Sequence, residues 1–318
     1  MTSYFDCPCL AEGSDVRIEG KRVTINCGRR SFVADFPSVD DAVLGALFAG
    51  LAEGGRRMDD LRTDFSSVSV SKLVSSLDDF GLLSESGAMS KGALSGKQLI
   101  SRLEQEYLAR LEKSGTLPLW DILRSGDADH ALLTGLAKEY YFLTAAAYDA
   151  VTPAIASMHG MQKLVMIEFV LGEYRHDRLM LKSLKSCGLT DEDVMKARPH
   201  PYTRGLTDLL RYWAETDPLT MMCALFIFEG TEDGGKAYID LLRRNALPEG
   251  YIDGVVEHDR ANSEGNHGLI SREFMSHQTQ VSAEDAERVS SRLLDLHKLM
   301  DRRNIEVSAT YWRSRQAA

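Results

Sequence analysis

The sequence predicts a mostly α-helical protein with a small α+β module at its N-terminus. Three observations carry this. Residues 16–36 alternate apolar and polar side chains with a period of two. From Lys97 to Trp312, apolar residues recur at helical spacing in one segment after another. Between them lies SESGAMSKGALSG, residues 84–96, rich in Ser and Gly and read as a linker. The predicted division is 1–96 and 97–318.

In order along the chain, VRIEG, KRVTIN and RSFVADF read as an antiparallel meander, turned at EGK and at Cys27-Gly28-Arg29-Arg30. A short apolar helix follows over VDDAVLGALFAGLAEGG, with Ser38 as N-cap and Gly54-Gly55 ending it. MDDLRTDF and SVSKLVSSLDDFGLL supply two more short helices, the second with Val70, Leu73, Val74, Leu77 and Phe80 on one face. Beyond the linker, GKQLISRLEQEYLARLEKSG is an amphipathic helix and LPLWDILRSG a short one. A long helix runs from Asp129, broken before Pro153. Residues 161–188 read as a single long helix stopped by Gly188. Further helices follow over 203–216, 218–245 and 250–277, the last as one or two pieces, and a long helix over 284–312 closes the chain. The stretch before Glu229 is apolar all round, the mark of a buried helix.

Composition narrows the function. The chain has 318 residues, 44% hydrophobic, with a net charge of −10. That balance makes nucleic acid and anionic membrane poor partners. The apolar runs are too short to span a bilayer, and the start shows no secretory signal pattern. A cytoplasmic protein is expected. The five scattered cysteines, with Cys7 and Cys9 too close for a zinc-finger pair, read as reduced thiols.

The chemistry concentrates in Glu173-Tyr174-Arg175-His176. A carboxylate and an imidazole three residues apart share one face of a helix and can serve one metal ion. Glu264 and His267 repeat the spacing. Glu139 and Glu229 end or interrupt apolar faces, where an ionised carboxylate is costly to bury without a partner. His258 and His267, nine residues apart, would face opposite ways on a straight helix, about 180° apart. A break at Ser263-Glu264-Gly265-Asn266 brings them together. Carboxylates and imidazoles from several helices are how helical bundles hold iron or manganese. His200, His277 and His297 are expected at the surface.

These residues carry a resemblance. An early helix with a Glu, then Glu173-x-x-His176 before a Leu-rich stretch ending Cys187-Gly188-Leu189, then Glu229, then a segment ending His267-Gly268, resembles the haem-oxygenase-like di-iron oxidases and oxygenases over residues 100–312. The resemblance implies a seven-helix bundle. It also implies Glu139, Glu173, His176, Glu229, His258 and His267 as metal ligands, with Glu139 and Glu264 in proton transfer or completing the ligand set. The family's last ligand segment commonly reads His-x-x-x-Asp-x-x-His. Here Asn262 and Gly265 follow His258 in that register, and registering on His267 instead gives Arg260 and Glu264. Either way one ligand is altered, so one or two ions are expected. The cofactor implied is Fe(II), with Mn as an alternative, and O2 as co-substrate. The N-terminal module resembles winged-helix peptide-recognition domains of ribosomal-peptide biosynthesis, which seat an extended peptide between an edge strand and a helix. Its eleven Lys/Arg against fourteen Asp/Glu over residues 1–97 argue against phosphate binding.

The expected function is an iron-dependent, O2-activating oxidase or oxygenase of a biosynthetic pathway. Its substrate would be an amino acid, peptide or amine, its N-terminal domain would recruit a peptide, and it would act as a homodimer. Two alternatives stand beside it. One is a metal-free enzyme of the quinone-synthase or thiaminase-like type, with His176 and His258 as general bases. The other is a non-enzymatic ligand sensor with a peptide- or DNA-binding module.

Overall fold

The computed structural model describes residues 4–87, 93–113, 117–229, 232–245 and 247–312. The chain divides into two compact units, residues 1–115 with 278–286, and residues 116–277 with 287–318.

In the first unit, β2 (Asp15–Glu19), β3 (Arg22–Cys27) and β4 (Arg30–Asp35) form the expected meander, in the order β2-β3-β4. Gly20 and Gly28 turn it with φ of +59° and +60°, values open to glycine at little cost. A short strand β1 (Pro8–Leu10) pairs antiparallel with β5 (Leu83–Glu85) in a separate sheet. Between β4 and β5 lie α1 (Asp41–Glu53), α2 (Met58–Asp64) and α3 (Val70–Asp79). Asp40, not Ser38, caps α1: its carboxylate accepts from the Ala42 N–H. Val23, Ile25, Leu44, Leu47, Leu61 and Leu77 close this unit's core. The expected linker begins inside β5, and residues 88–92 of it lie outside the described residues. Helix α4 (Gly96–Lys113), which the sequence groups with the helical part, packs with this unit. Gln105 donates to the carbonyls of Gly81 and Leu83, and Glu112 pairs with Arg30.

The second unit is helical throughout. It contains α5 (Pro118–Ser125), α6 (His130–Val151), α7 (Gly160–Glu173), α8 (His176–Ser186), α9 (Asp191–Lys196) and α10 (Pro201–Thr216). These are followed by α11 (Pro218–Glu229), α12 (Glu232–Arg244), α13 (Glu249–Glu264), α14 (Ile270–Ser276) and, from residue 287 on, α15 (Ala283–Tyr311). Helix α6 gives way to a 3₁₀ turn at Thr152, just before Pro153. Helix α8 is clasped between α6 and α13, where Leu133, Leu136, Met180, Leu184, Ile252 and Val255 share one apolar core. The α8–α13 crossing is close because residue 254 is glycine: a Cβ there would lie 1.7 Å from Ser183 Oγ and 3.1 Å from the Leu179 carbonyl. Ser183 in turn donates to the Tyr251 carbonyl at 3.1 Å. Asp217, at the start of α11, accepts from Thr220 and from Arg288 and Arg292, which fixes α15 to that end. Among the described residues no helix is long and apolar enough to cross a membrane.

Candidate metal centre

The sequence predicts one helix through residues 161–188, with Glu173 and His176 on one face. The structure corrects this. Glu173 is the last residue of α7, His176 is the first of α8, and Arg175 between them takes a left-handed φ of +77° that no α-helix can carry. A left-handed conformation costs a non-glycine residue about 1–2 kcal/mol. Strain of this kind persists where the surroundings impose it, and it gathers at functional sites. The second break repeats the device. Helix α13 ends at Glu264, Asn266 takes φ +53°, and His267 opens a 3₁₀ turn. Arg175 and Asn266 are the two non-glycine residues with positive φ among the described residues, and each immediately precedes a histidine of the cluster.

The breaks gather the side chains. Ligand atoms of Glu173, His176 and His267 all lie within 4.8 Å of one another, and all three residues are buried. His267 Nδ1 is 2.7 Å from Glu173 Oε1 and 3.7 Å from Glu229 Oε2, and His176 Nδ1 is 3.4 Å from Glu173 Oε1. The rings of His258 and His267 lie 5.1 and 5.6 Å from that of His176. These approaches are short, yet Glu173 Oε1, His176 Nδ1 and His267 Nδ1 are buried atoms without a hydrogen bond of acceptable geometry. Buried polar atoms are ordinarily paired. Atoms that converge in this way could hold a common third partner such as a metal ion. Two imidazoles and a carboxylate, with the remaining positions open, are the donor set of non-haem Fe(II) sites. The residues therefore fit the ion that the sequence reading expects.

Charge at the cluster is shared unevenly. Burial pushes Glu173 up, but the His176 and His267 rings outweigh it and hold the carboxyl at about 2. Burial pulls His267 down, while Glu173 and Glu229 outweigh it and lift the ring to about 9. Glu229, at the end of the buried α11, is raised by burial and then by the Glu173 charge, with His267 opposing. Burial and then the neighbouring His176 push His258 down to about 4, so it is neutral at pH 7.

The other predicted residues fall in different places. Glu229 stands at the rim of the cluster and accepts from Asn262 Nδ2 at 3.3 Å. Glu139 is fully buried but belongs to another network: it accepts from the His200 N–H and from the Tyr311 hydroxyl, 3.0 Å from Oε1. Glu264 is not brought to the cluster. It is 73% exposed and lies 3.9 Å from Arg260, because the helix ends there and only the chain beyond Asn266 turns inward. The repeated Glu-x-x-His unit is thus a coincidence of spacing. His297, expected at the surface, is buried beside Asp301.

Several residues beside the cluster were not nominated as site residues from the sequence, which reads Tyr140 and Phe169 as core-lining aromatics and Asn262 as an altered ligand position. Tyr140 meets His258 Nδ1 at 3.1 Å. Phe169 lies with its ring 5.0 Å from that of His267. Asn262 buries an Oδ1 without a partner beside Glu229. Gly172 and Gly265 leave room for His267: a Cβ at either would sit 2.6 Å from Nε2. The adjacency of Gly172 to Glu173, and of Gly265 to the break, was the available signal.

A two-unit chain whose larger unit is a helical bundle closed around a buried Glu/His cluster defines the class: a helical protein with a candidate metal centre. The comparisons place it further. Residues 134–296 match the family model described as iron-containing redox enzyme, and the chain belongs to that family. Residues 1–133 lie outside the match. Among solved structures, the chain is similar to a domain of unknown function with a heme oxygenase-like fold from Shewanella denitrificans OS217. The two are 20% identical with a TM-score of 0.56, over 69% of this chain and 96% of that one. This likeness shows the fold. A comparison with curated proteins finds no match.

Proposed function

We propose that the second unit is a non-haem iron oxidase or oxygenase, with one Fe(II) held by Glu173, His176 and His267. The observation that carries this reading is the convergence of three buried ligand atoms that satisfy none of each other's hydrogen bonds. When bound, Fe(II) with open coordination positions supplies O2 activation at the substrate. The protein's own residues do the rest. Glu173 stays ionised at neutral pH and brings the negative charge that a divalent cation needs. Phe169 and Gly172 wall the His267 ring and hold its Nδ1 toward Glu173. Asn262 fixes one oxygen of Glu229 beside the cluster, where Glu229 can take up a proton or a further ligand position. A neutral Asn at this place, instead of a carboxylate, favours one ion over two.

The substrate class proposed is an amino acid, amine or peptide, and the first unit supports the peptide. In the sheet order β2-β3-β4, β4 is an edge strand. A groove of about 370 Å³ runs beside it toward α3, lined by Phe32, Ala34, Phe36, Val68, Leu73 and Lys72. An extended peptide could add to that edge through main-chain hydrogen bonds and set apolar side chains in the groove. Winged-helix likeness and peptide recruitment by this unit are part of the same proposal.

Anaerobic reconstitution tests the metal. Full-length protein should take up one Fe(II), lose it in Glu173→Ala, His176→Ala and His267→Ala, and consume O2 once loaded. Protein that holds no stoichiometric iron, or variants that bind as the wild type does, would sink the reading. Selection of displayed peptides on the full chain, repeated with Val33→Pro, tests the groove. Binders indifferent to that change argue against strand addition.

A further inference from the structure

We infer that His258 is not a ligand of the metal but a hydrogen-bond donor beside it, its ring proton held on Nε2 by Tyr140. The inference rests on the triad reading above and deepens it by removing one candidate ligand.

The argument is an inventory of protons. His258 is buried, with 6% of its surface exposed, and lies against His176 with rings crossed at 71°. A neutral imidazole carries one ring proton, so one nitrogen donates and the other accepts. Its Nδ1 lies 3.1 Å from the Tyr140 hydroxyl. That hydroxyl also carries one proton, and the structure gives it no second acceptor among the described residues. If Nδ1 bore the ring proton, two donors would face each other or the phenol proton would be left without a partner. An unsatisfied donor in such a setting costs about 1–3 kcal/mol. If Tyr140 donates to Nδ1, both groups are satisfied and the ring proton lies on Nε2. A further fact agrees. The nitrogens of His258 do not join the atoms of Glu173, His176 and His267 that converge within 4.8 Å.

An Nε2–H imidazole cannot donate an electron pair to a metal through that nitrogen, and Nδ1 is engaged by Tyr140. What His258 can offer is one N–H, a fixed donor for an oxygen or nitrogen acceptor of a substrate beside the triad. Tyr140 is then a positioning residue. It acts through His258 by fixing which nitrogen carries the proton, as second-sphere partners of imidazoles do. The Tyr238 ring, edge-on to Tyr140 at 6.1 Å, and the Trp120 ring beyond it at 6.5 Å hold the phenol in place.

Two measurements test this. In ¹⁵N-histidine-labelled protein, metal-free and loaded with Zn(II), long-range ¹H–¹⁵N correlations report the tautomer, and His258→Gln assigns the signal. The expected pattern is protonated Nε2 with bare Nδ1 in both forms, and loss of that preference in Tyr140→Phe. Anaerobic Co(II) titration should show one bound ion in wild type, His258→Gln and Tyr140→Phe alike, and none in Glu173→Ala. A bare Nε2 in protein that does bind Co(II) overturns the inference alone. So does loss of the Co(II) site in His258→Gln when circular dichroism and melting are unchanged. Wild-type protein that binds no Co(II) overturns the triad, and with it the statement about ligation.

Discussion

Gly172 offers the sharpest test of how the cluster is held. It is the penultimate residue of α7, in ordinary helical conformation, so alanine there carries no backbone penalty. By helix propensity alone, Gly172→Ala should stabilise by up to about 1 kcal/mol. The added Cβ, however, would lie 2.6 Å from His267 Nε2 and 3.2 Å from Cε1. Heavy atoms in good contact stand about 3.5–4.0 Å apart, so the ring must retreat by roughly 1 Å. It has little room to do so without turning. Gly265 lies on another side of the ring, so close that a Cβ there too would sit 2.6 Å from Nε2, and the Phe169 ring packs 5.0 Å from that of His267. Turning moves Nδ1 away from Glu173, now 2.7 Å distant. Because the obstacle is the tip of one side chain, the fold survives and the geometry of the proposed ligands does not. Disturbing groups that orient a metal's ligands typically costs about 10–100-fold in affinity. Gly172→Ala should therefore weaken Co(II) binding by roughly that factor, with melting unchanged or raised by a few degrees. Gly205→Ala is the control. A Cβ there, within α10, meets nothing within 4 Å, so only a small gain in stability is expected. Wild-type Co(II) affinity in Gly172→Ala would refute the assignment of His267 Nδ1 as a ligand.

Other outcomes follow from the same geometry. Metal binding needs a neutral His267 and displaces its proton. With that ring held at about 9, Co(II) or Mn(II) affinity should rise about tenfold per pH unit from 7 and level off above 9. In the metal-free protein the sign is opposite. The raised His267 contributes stability that is complete below about 6.5 and is lost as pH rises through about 9, which melting curves across that range would show. Tyr311→Phe leaves the buried Glu139 without one of its donors and should cost about 1–3 kcal/mol in denaturant unfolding. Co(II) stoichiometry should stay at one ion there, since Glu139 is outside the cluster. Gly254→Val drives a side chain into Ser183 and the Leu179 carbonyl at the α8–α13 crossing, an overpacking of about 1–3 kcal/mol or more. Glu264→Gln should change neither metal binding nor activity, the side chain being at the surface.

Much of the helical architecture was legible because it rests on periodicity. The buried face of α3 (Val70, Leu73, Val74 and Leu77, though not Phe80, which lies past the helix end and is exposed), the all-round apolar α11 and the break before Pro153 are patterns of side-chain type that the structure reproduces. The break after Glu173 was not legible. LGEYRHDRL contains neither proline nor a glycine at the turning position, and its residues are ordinary helix formers. Arg175 enters the left-handed region because tertiary packing places α7 and α8 where a continuous helix could not run. The second break was legible, since Gly265-Asn266 favours a left-handed turn. Likewise the sequence could nominate Glu139, Glu229 and Glu264 as acidic residues near apolar faces. Which of them turns toward His176 depends on where each helix stops. Glu173 and Glu229 are the final residues of α7 and α11, whereas Glu139 lies in mid-helix facing Tyr311.

That difference has a mechanical meaning. A residue inside a helix has its direction fixed by the packing of the whole helix, so a cluster built from such residues inherits every small shift of the bundle. Here the proposed ligands lie at helix ends: Glu173 closes α7, His176 opens α8, and His267 opens a 3₁₀ turn. Each histidine is preceded by a residue in a left-handed conformation that the surroundings must enforce. The core of α6, α8 and α13 supplies that enforcement, with Gly254 and Ser183 locking the crossing that carries His176 and His258. Asn266 tolerates its conformation and Arg175 does not. The first break is therefore the more strained, and the one that should relax when packing is loosened. Substituting Arg175 by Asn keeps the left-handed turn at lower cost, so it should leave Co(II) stoichiometry unchanged without lowering the melting temperature. If Arg175→Asn instead abolishes metal binding, the arginine side chain, stacked 4.9 Å from the Tyr174 ring, rather than the backbone break, is what orders the site.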